Sequence, residues 1–191
     1  MEVVAHSTAQ ILPNQRSTHW SRVIADTYFP LQLTFRDPSA FAGTLERRQM
    51  GSVSLSRLAT EPLQYERRPT HISHTREEEY LITVPRLSPV EFKQMEREVR
   101  CDPGGFILER GDEPYRFSYD AANELSVLKI NKRSLAEKVR DPDRLCARTI
   151  DARSGLPALF TSMMHQLHSL PPCADRASEV LGRQMVEVLA L

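Results

Sequence analysis

Proline, glycine and acidic turn residues divide the stretch 41–130 into a series of short β-type segments at regular spacing. Within several segments polar and apolar side chains alternate, as they do in a strand with one buried face. The predicted strands are at residues 52–56, 63–66, 79–84, 90–99, 106–109, 115–119 and 125–130. Many short strands separated by regular breakers are typical of an all-β sandwich or barrel. The pattern therefore predicts such a β-structure at the centre of the fold.

Helical patterns flank the β-rich stretch on both sides. Before it, Ser17 or Thr18 can cap a short helix that carries Trp20 on its apolar face and ends at Pro30. After it, Ser134 and Glu137 have the spacing of a capping box at the start of another helix. Two longer amphipathic helices are predicted at residues 154–170 and 175–191.

These patterns divide the chain into three parts. Residues 1–16 show no clear periodicity, and we predict that they form a loose N-terminal arm. Residues 17–131 are predicted to form the short helix and the β-barrel, and residues 132–191 to form the C-terminal helices.

The last predicted helix carries an apolar stripe that is suited to pairing with a second copy of the chain. Because the helix at 154–170 supplies its own stripe to cover the barrel, the last stripe is left to form an isologous contact about a two-fold axis. We predict a homodimer with an interface formed by Leu181, Met185, Val188 and Leu189, flanked by Val180. The stripe runs to Leu191 without a C-cap, so we expect further residues after it in the full-length protein.

Charge and cysteine content exclude several classes of protein. The chain has 25 basic and 25 acidic residues, whereas nucleic-acid binding by the segment itself requires a basic surplus. Cys101, Cys146 and Cys173 are too widely spaced for a disulfide framework or a zinc site, and we interpret them as reduced thiols. No apolar run is long enough to span a bilayer, and no signal peptide opens the chain. We therefore expect a soluble cytoplasmic protein.

One cluster has the residue types of a metal site. His71 and His74 precede the acidic run 77–79, but strand alternation would direct the two imidazoles to opposite faces. The glycines form no phosphate-binding or nucleophile-elbow motif. We therefore predict no metal, no cofactor and no enzymatic activity.

Aromatic residues and one arginine are the candidates for a ligand pocket inside the barrel. We predict that the wall includes some of Trp20, Leu55, Arg57, Tyr65, Tyr80 and Phe106. Arg57 lies between Leu55 and Leu58 in an apolar strand, where its guanidinium would favour an anionic ligand, aromatic anions included.

Several pieces of the chain, in this order, resemble the N-terminal effector-binding domain of AraC/XylS-type transcriptional regulators. They are the helix of Trp20 and the segments 28–31, 41–45, 51–57, 79–82, 103–105, 113–115 and 125–135. The resemblance implies a cupin-like β-barrel (a double-stranded β-helix or jelly roll) that binds a small effector, followed by helices that form a homodimer. It also implies a separate pair of helix-turn-helix motifs that binds DNA. Nothing in the present chain resembles that half, so we expect it after Leu191.

The hypothesis from sequence is therefore a ligand-sensing and dimerisation domain of a transcriptional regulator. Two alternatives remain open at this point. A cupin-type metalloenzyme would need imidazoles that converge inside the barrel. A dimerisation domain without any ligand would have a barrel filled by apolar side chains.

Overall fold

The computed structural model describes residues 1–72 and 79–191. Twelve strands lie in these residues: β1 (Val3–Ser7), β2 (Gln32–Phe35), β3 (Gly43–Met50), β4 (Val53–Thr60), β5 (Leu63–Arg67), β6 (Glu79–Pro85), β7 (Val90–Gln94), β8 (Arg97–Cys101), β9 (Gly105–Arg110), β10 (Tyr115–Tyr119), β11 (Asn123–Asn131) and β12 (Thr149–Asp151). The α-helices of the same residues are α1 (Arg16–Thr27), α2 (Pro69–Ile72), α3 (Lys132–Ala136), α4 (Gly155–Ser169) and α5 (Asp175–Leu189).

The strands form two antiparallel sheets that pack face to face. The first sheet has the order β1-β3-β4-β11-β6-β9-β12, and the second has the order β2-β5-β10-β7-β8. Apolar residues of both sheets and of α1 form one cluster between them, which we call the inner core. The prediction of a cupin-like β-barrel with a short preceding helix and C-terminal helices is confirmed.

The opposite face of the first sheet is covered by α4 and α5. Phe160 and Met185 pack there with Leu55 and Leu128 in a second cluster, which we call the outer core. The contact is close, because a Cβ atom at Gly182 would lie 2.2 Å from the carbonyl oxygen of Met50. The central strands of the first sheet, β4, β11, β6 and β9, are therefore buried on both faces.

Strand β4 shows how alternation separates the two cores. Leu58 belongs to the inner core, whereas Val53 and Leu55 belong to the outer core. Ser56 and Thr60 also point inward, where they are hydrogen-bonded to the hydroxyl groups of Tyr28 and Tyr119, respectively. Successive side chains of a strand point to opposite faces, so even-numbered residues of this strand face the second sheet.

The N-terminal residues are not a loose arm, so this prediction is wrong. Strand β1 pairs with β3 over its whole length, from Val3 opposite Arg48 to Ser7 opposite Thr44. The terminal ammonium group also donates hydrogen bonds to the carbonyl oxygen of Cys173, at 2.7 Å, and to the carboxylate of Asp175. Backbone pairing at a sheet edge thus orders a segment that has no periodicity of its own.

Two local predictions also differ from the structure. The segment 90–99 is a hairpin of β7 and β8, because Met95 and Glu96 adopt φ values of 52° and 60°. Positive φ at both central residues is typical of a type I′ turn, which usually contains asparagine or glycine. The cap of α3 is Asn131, whose side chain accepts a hydrogen bond from the backbone N–H of Arg133, rather than the predicted Ser134.

None of the helices in residues 1–72 and 79–191 combines the length and the apolar composition needed to cross a membrane.

Candidate functional site

A cavity of about 40 Å³ lies in the inner core, between the two sheets. Its aromatic wall is formed by Tyr28, Tyr65, Tyr115 and Phe117, and aliphatic side chains complete the apolar surface. Two polar side chains, Thr83 and Glu109, also line it. An apolar cavity with a few polar groups is the usual form of a small-molecule site.

The two sheets contribute different chemistry to this cavity. Thr83 lies on β6 and Glu109 on the neighbouring strand β9 of the first sheet. Tyr65, Tyr115 and Phe117 lie on β5 and β10 of the second sheet. The polar groups therefore face the aromatic rings across the space between the sheets.

Glu109 is the most unusual residue of the wall. Its side chain is buried and accepts one hydrogen bond, from the hydroxyl of Thr83. Burial raises the pKa of this carboxyl from its usual 4.5 to about 8, and the hydrogen bond offsets only part of this effect. Because desolvation disfavours the charged form, Glu109 is mostly neutral at pH 7 in the empty cavity.

The tyrosine hydroxyls of the inner core remain protonated. Burial raises the pKa of Tyr28, Tyr65 and Tyr115 well above the usual value of 10. The hydroxyl of Tyr65 is hydrogen-bonded to that of Tyr119, at 3.1 Å. In the part of the chain that the structure describes, the Tyr115 hydroxyl has no hydrogen-bond partner, so it is available to a ligand.

Two of the predicted pocket residues lie in the inner core. Tyr65 lines the cavity, as predicted, although its contact with a ligand stays a prediction. Trp20 is fully buried in the same cluster, where it packs on Phe41 with ring centroids 5.7 Å apart. It does not form part of the cavity wall.

Three other predicted pocket residues belong to the outer core, so their placement inside the barrel is wrong. Leu55, Tyr80 and Phe106 all pack beneath the C-terminal helices. Phe106, for example, contacts Phe160 of α4 with ring centroids 5.5 Å apart. The sequence shows that polar and apolar side chains alternate along a strand. It does not show which of the two faces of each strand is directed to the second sheet.

Arg57 also lies outside the cavity. It is on the outer face of β4, opposite Glu46 and Ser126 in the strand register, and it is half-buried. It lies close enough to the buried ring of His168 to contribute to lowering the pKa of that imidazole. This position excludes direct contact between Arg57 and a ligand between the sheets, so the argument for an anionic ligand is lost.

Sequence reasoning missed Glu109 and Thr83. A signal for Glu109 was present, because Ile107 and Glu109 share one face of a strand in an otherwise apolar run. A carboxylate on the face that carries a core isoleucine is unusual unless it has a partner or a function.

The predicted dimer stripe is largely covered within one chain. Met185 is fully buried in the outer core, and Leu181, Val188 and Leu189 pack against the same cluster. Val180, at 39% exposure, and Leu191, at 79%, face solvent substantially. The assignment of Met185 to a dimer interface is therefore wrong, because α5 uses this stripe to bind the first sheet.

The predicted geometry of the histidine pair cannot be followed through the structure. His71 lies in the helical turn α2 rather than in a strand, and its Nδ1 accepts a hydrogen bond from the backbone N–H of Arg68 at 3.1 Å. His74 and the acidic residues 77–78 lie outside the described residues. Among residues 1–72 and 79–191, no three His, Cys, Asp or Glu side chains are grouped as metal ligands would be.

Comparisons with known proteins point to one family. The profile of the AraC-binding-like domain matches residues 20–191. An uncharacterised protein from Bacillus sp. (strain OxB-1), encoded in a nit 5′ region, is 24% identical over 147 residues, which are 77% of this chain and 57% of the relative.

Among solved structures, the AraC-like transcriptional activator CuxR superimposes with a TM-score of 0.82 at 16% identity. The match covers 99% of this chain and 69% of the CuxR chain. A cupin superfamily protein from Desulfitobacterium hafniense matches 44% of this chain and 72% of its own, at 6% identity and a TM-score of 0.36. The chain spans a little over half the length of the Bacillus relative. Since the profile match covers most of its length, the chain belongs to the AraC-binding-like domain family.

Proposed function

We propose that the chain is the effector-sensing domain of an AraC-type transcriptional regulator, and that the effector binds in the cavity of the inner core. Membership of the AraC-binding-like family supports a regulatory rather than an enzymatic role. The observation that carries the proposed site is the buried Glu109, which has one hydrogen bond and lines an otherwise apolar cavity. Such a group is costly to retain in a core that serves only for packing.

The cavity of about 40 Å³ holds a small head group, so a larger effector must displace part of the wall. Leu31 is the partly exposed member of this wall, whereas the other lining residues are buried. Leu31 follows Pro30 in the link between α1 and β2, so movement of this segment would connect the cavity to solvent. Binding would then shift the population between closed and open forms of the barrel.

A ligand screen with a cavity-filling variant tests this function. The chain is melted in the presence of a panel of small acids, alcohols and amines, and a ligand at ten times its Kd is expected to stabilise the folded state by about 1.4 kcal/mol. Val127→Phe fills the cavity and should abolish this gain, whereas Leu189→Phe, in the outer core, should retain it. Val127→Leu is the milder variant if the phenylalanine unfolds the chain.

Stabilisation of the wild type that is lost in Val127→Phe supports the site. If no compound stabilises the wild type, or if Val127→Phe responds equally well, the site is not this cavity. A wild-type chain that no compound stabilises would favour the alternative of a dimerisation domain with a filled barrel.

We also propose that two chains pair through the exposed apolar residues of α4 instead of the buried stripe of α5. Leu156 and Leu159 are 45% and 49% exposed and lie one helical turn apart. Leu159→Glu should give a monomer in light scattering, whereas the exposed control Gln166→Glu should not change the mass. A wild-type chain that is monomeric at the same concentration would refute this interface.

DNA binding belongs to the proposed function of the whole regulator rather than to this segment. The segment has no net charge, so we expect no sequence-preferring gel shift at physiological salt. A sequence-preferring shift by this chain alone would contradict the proposal.

A further inference from the structure

Among residues 1–72 and 79–191, no cationic side chain pairs with the carboxyl group of Glu109 in the cavity. The Thr83 hydroxyl donates a hydrogen bond to Oε1, and within the described residues Oε2 accepts no hydrogen bond. None of the described residues that line the cavity is a lysine, arginine or histidine. The carboxyl therefore has unused capacity to accept hydrogen bonds from a ligand.

Arg67, a buried cation that packs on Phe29 of the inner core, makes its contacts away from Glu109. Its guanidinium donates hydrogen bonds to the carbonyl oxygens of Gly111, at 3.0 Å, and Pro30, at 2.7 Å. It also lies over the ring of Phe29, 4.2 Å from the centroid. These contacts hold Arg67 at the edge of the core, so it does not neutralise Glu109.

The rest of the cavity suits a cation rather than an anion. Tyr28, Tyr65, Tyr115 and Phe117 line the same space as Glu109. Aromatic ring faces attract cations through their quadrupole, and this attraction grows when water is excluded. The Tyr115 hydroxyl can accept a further hydrogen bond from an ammonium group. A carboxylate within a set of aromatic rings is thus complementary to an amine.

We propose that the cavity recognises a small primary amine, whose ammonium group pairs with Glu109 among the aromatic rings and whose apolar part extends towards Leu31. This inference rests on the proposed function and defines the chemical class of its effector. An anionic ligand is disfavoured, because it would place a second negative group beside Glu109 in a desolvated space.

Binding of the charged amine requires an ionised Glu109. The carboxyl binds its proton in the empty cavity at pH 7, since burial raises its pKa to about 8. An ammonium ion that enters therefore releases the Glu109 proton to solvent, and the charge of the new ion pair is zero. A neutral alcohol that binds in the same place releases no proton.

Three probes of similar shape test the chemical class: benzylamine, benzyl alcohol and benzoate. Isothermal titration calorimetry at pH 7 should show benzylamine binding at least about tenfold more tightly than the other two. Titrations in two buffers of different ionisation enthalpy should show release of about one proton per benzylamine. Comparable affinity of all three probes, or binding of benzylamine without proton release, would overturn the proposal.

Glu109→Gln provides the matched variant, because it keeps the size of the side chain and its ability to accept the hydrogen bond from Thr83. It should weaken benzylamine binding by about tenfold or more and change the affinity for benzyl alcohol by less than about threefold. The surface control Glu98→Gln should leave both affinities unchanged. An unchanged affinity for benzylamine in a fully folded Glu109→Gln chain would contradict the proposal.

The outcomes also separate this inference from the function on which it rests. If benzyl alcohol or benzoate binds and is blocked by Val127→Phe, while benzylamine has no advantage, the cavity is an effector site but the amine class is wrong. If none of the three probes binds, the amine proposal fails, and the wider panel decides whether the cavity binds any ligand.

Discussion

The inner core and the outer core share the strands of the first sheet, yet they differ in chemistry. The inner core contains linked tyrosine and threonine hydroxyls and a buried carboxyl beside a small cavity. The outer core consists mainly of aliphatic, methionine and phenylalanine side chains, and an apolar cleft of about 220 Å³ lies beside α5. The inner core thus combines a hydroxyl network with a carboxyl group where we propose the ligand. The helices rest on mainly apolar packing, to which hydrogen bonds of Arg48, His168 and Ser178 are added.

Glu109 and His168 are buried titratable groups on opposite sides of the first sheet. Burial raises the pKa of Glu109 to about 8 in the inner core, and it lowers the pKa of His168 to about 3 beneath α4. Both groups are therefore neutral in the folded protein near pH 7. Glu109 becomes charged when the pH rises, whereas His168 becomes charged when the pH falls. The pH dependence of stability therefore reports on the two regions separately.

The largest expected effect concerns Glu109 at alkaline pH. The folded state retains the proton between the unfolded pKa of 4.5 and about 8, so the free energy of unfolding falls as pH rises through this range. The pKa difference corresponds to about 4–5 kcal/mol. In urea titrations at pH 9, Glu109→Gln should be more stable than the wild type by several kcal/mol, whereas at pH 4.5 the two should be similar. If the difference in free energy of unfolding between the two chains were the same at both pH values, Glu109 would be hydrated.

A slightly smaller effect is expected from the outer core. Phe160 is fully buried, and Phe160→Ala should lower the free energy of unfolding by about 3–4 kcal/mol through the lost burial and the cavity that remains. Gln166→Ala, at an exposed position of the same helix, is the control and should cost less than about 0.5 kcal/mol. Binding of benzylamine by the folded Phe160→Ala chain should be unchanged. Loss of binding in the folded variant would break the distinction between the two cores.

His168 should give an effect of opposite sign at acid pH. Its folded pKa is depressed below 6.5, so the folded state loses stability relative to the unfolded chain as pH falls below 6.5. Between pH 7 and pH 5 this amounts to about 2 kcal/mol. His168→Gln retains a side-chain partner for Ser126 and should remove this component, as measured by the difference from the wild type in urea titrations. An equal pH response of the two chains would mean that His168 is accessible to water.

The smallest effect compares two tyrosines of the inner core. The hydroxyl of Tyr119 is hydrogen-bonded to those of Thr60 and Tyr65, whereas that of Tyr115 has no partner within the described residues. Tyr119→Phe should therefore cost about 1–2 kcal/mol and Tyr115→Phe less than about 0.5 kcal/mol in thermal melts. For benzylamine affinity we expect the opposite order, in which Tyr115→Phe lowers the affinity more than Tyr119→Phe does. Equal effects on stability would mean that water already satisfies the Tyr115 hydroxyl.

The sequence predicts the number and kind of elements better than it predicts their faces. Pro85 and Gly111 mark segment ends that the structure retains, because breakers act locally. The faces of Leu55 and Tyr80 depend on strand register and on the helices that cover the sheet, and neither is encoded within a short window. The turn at Met95 escapes prediction for a similar reason, since tertiary pairing imposes its positive φ.

The candidate site is less predictable than the fold. Tyr65 was identified as an aromatic residue of a strand, but only the three-dimensional structure shows that Glu109 lies near it. The two residues are on different sheets and are 44 positions apart. Long-range proximity of this kind leaves no local pattern in the sequence. A charged residue within an apolar run, such as Glu109, is visible in the sequence.

The central claim is that a ligand enters the inner core and leaves the outer core unoccupied. Methyl-labelled NMR during titration with benzylamine tests it directly, because both regions contain leucine and valine residues. We predict that the methyl signals of Leu58, Leu81 and Val127 shift with a common Kd, and that those of Leu135 and Val188 do not. Shifts confined to Leu135 and Val188, or no saturable shift at Leu58, Leu81 and Val127, would contradict the account.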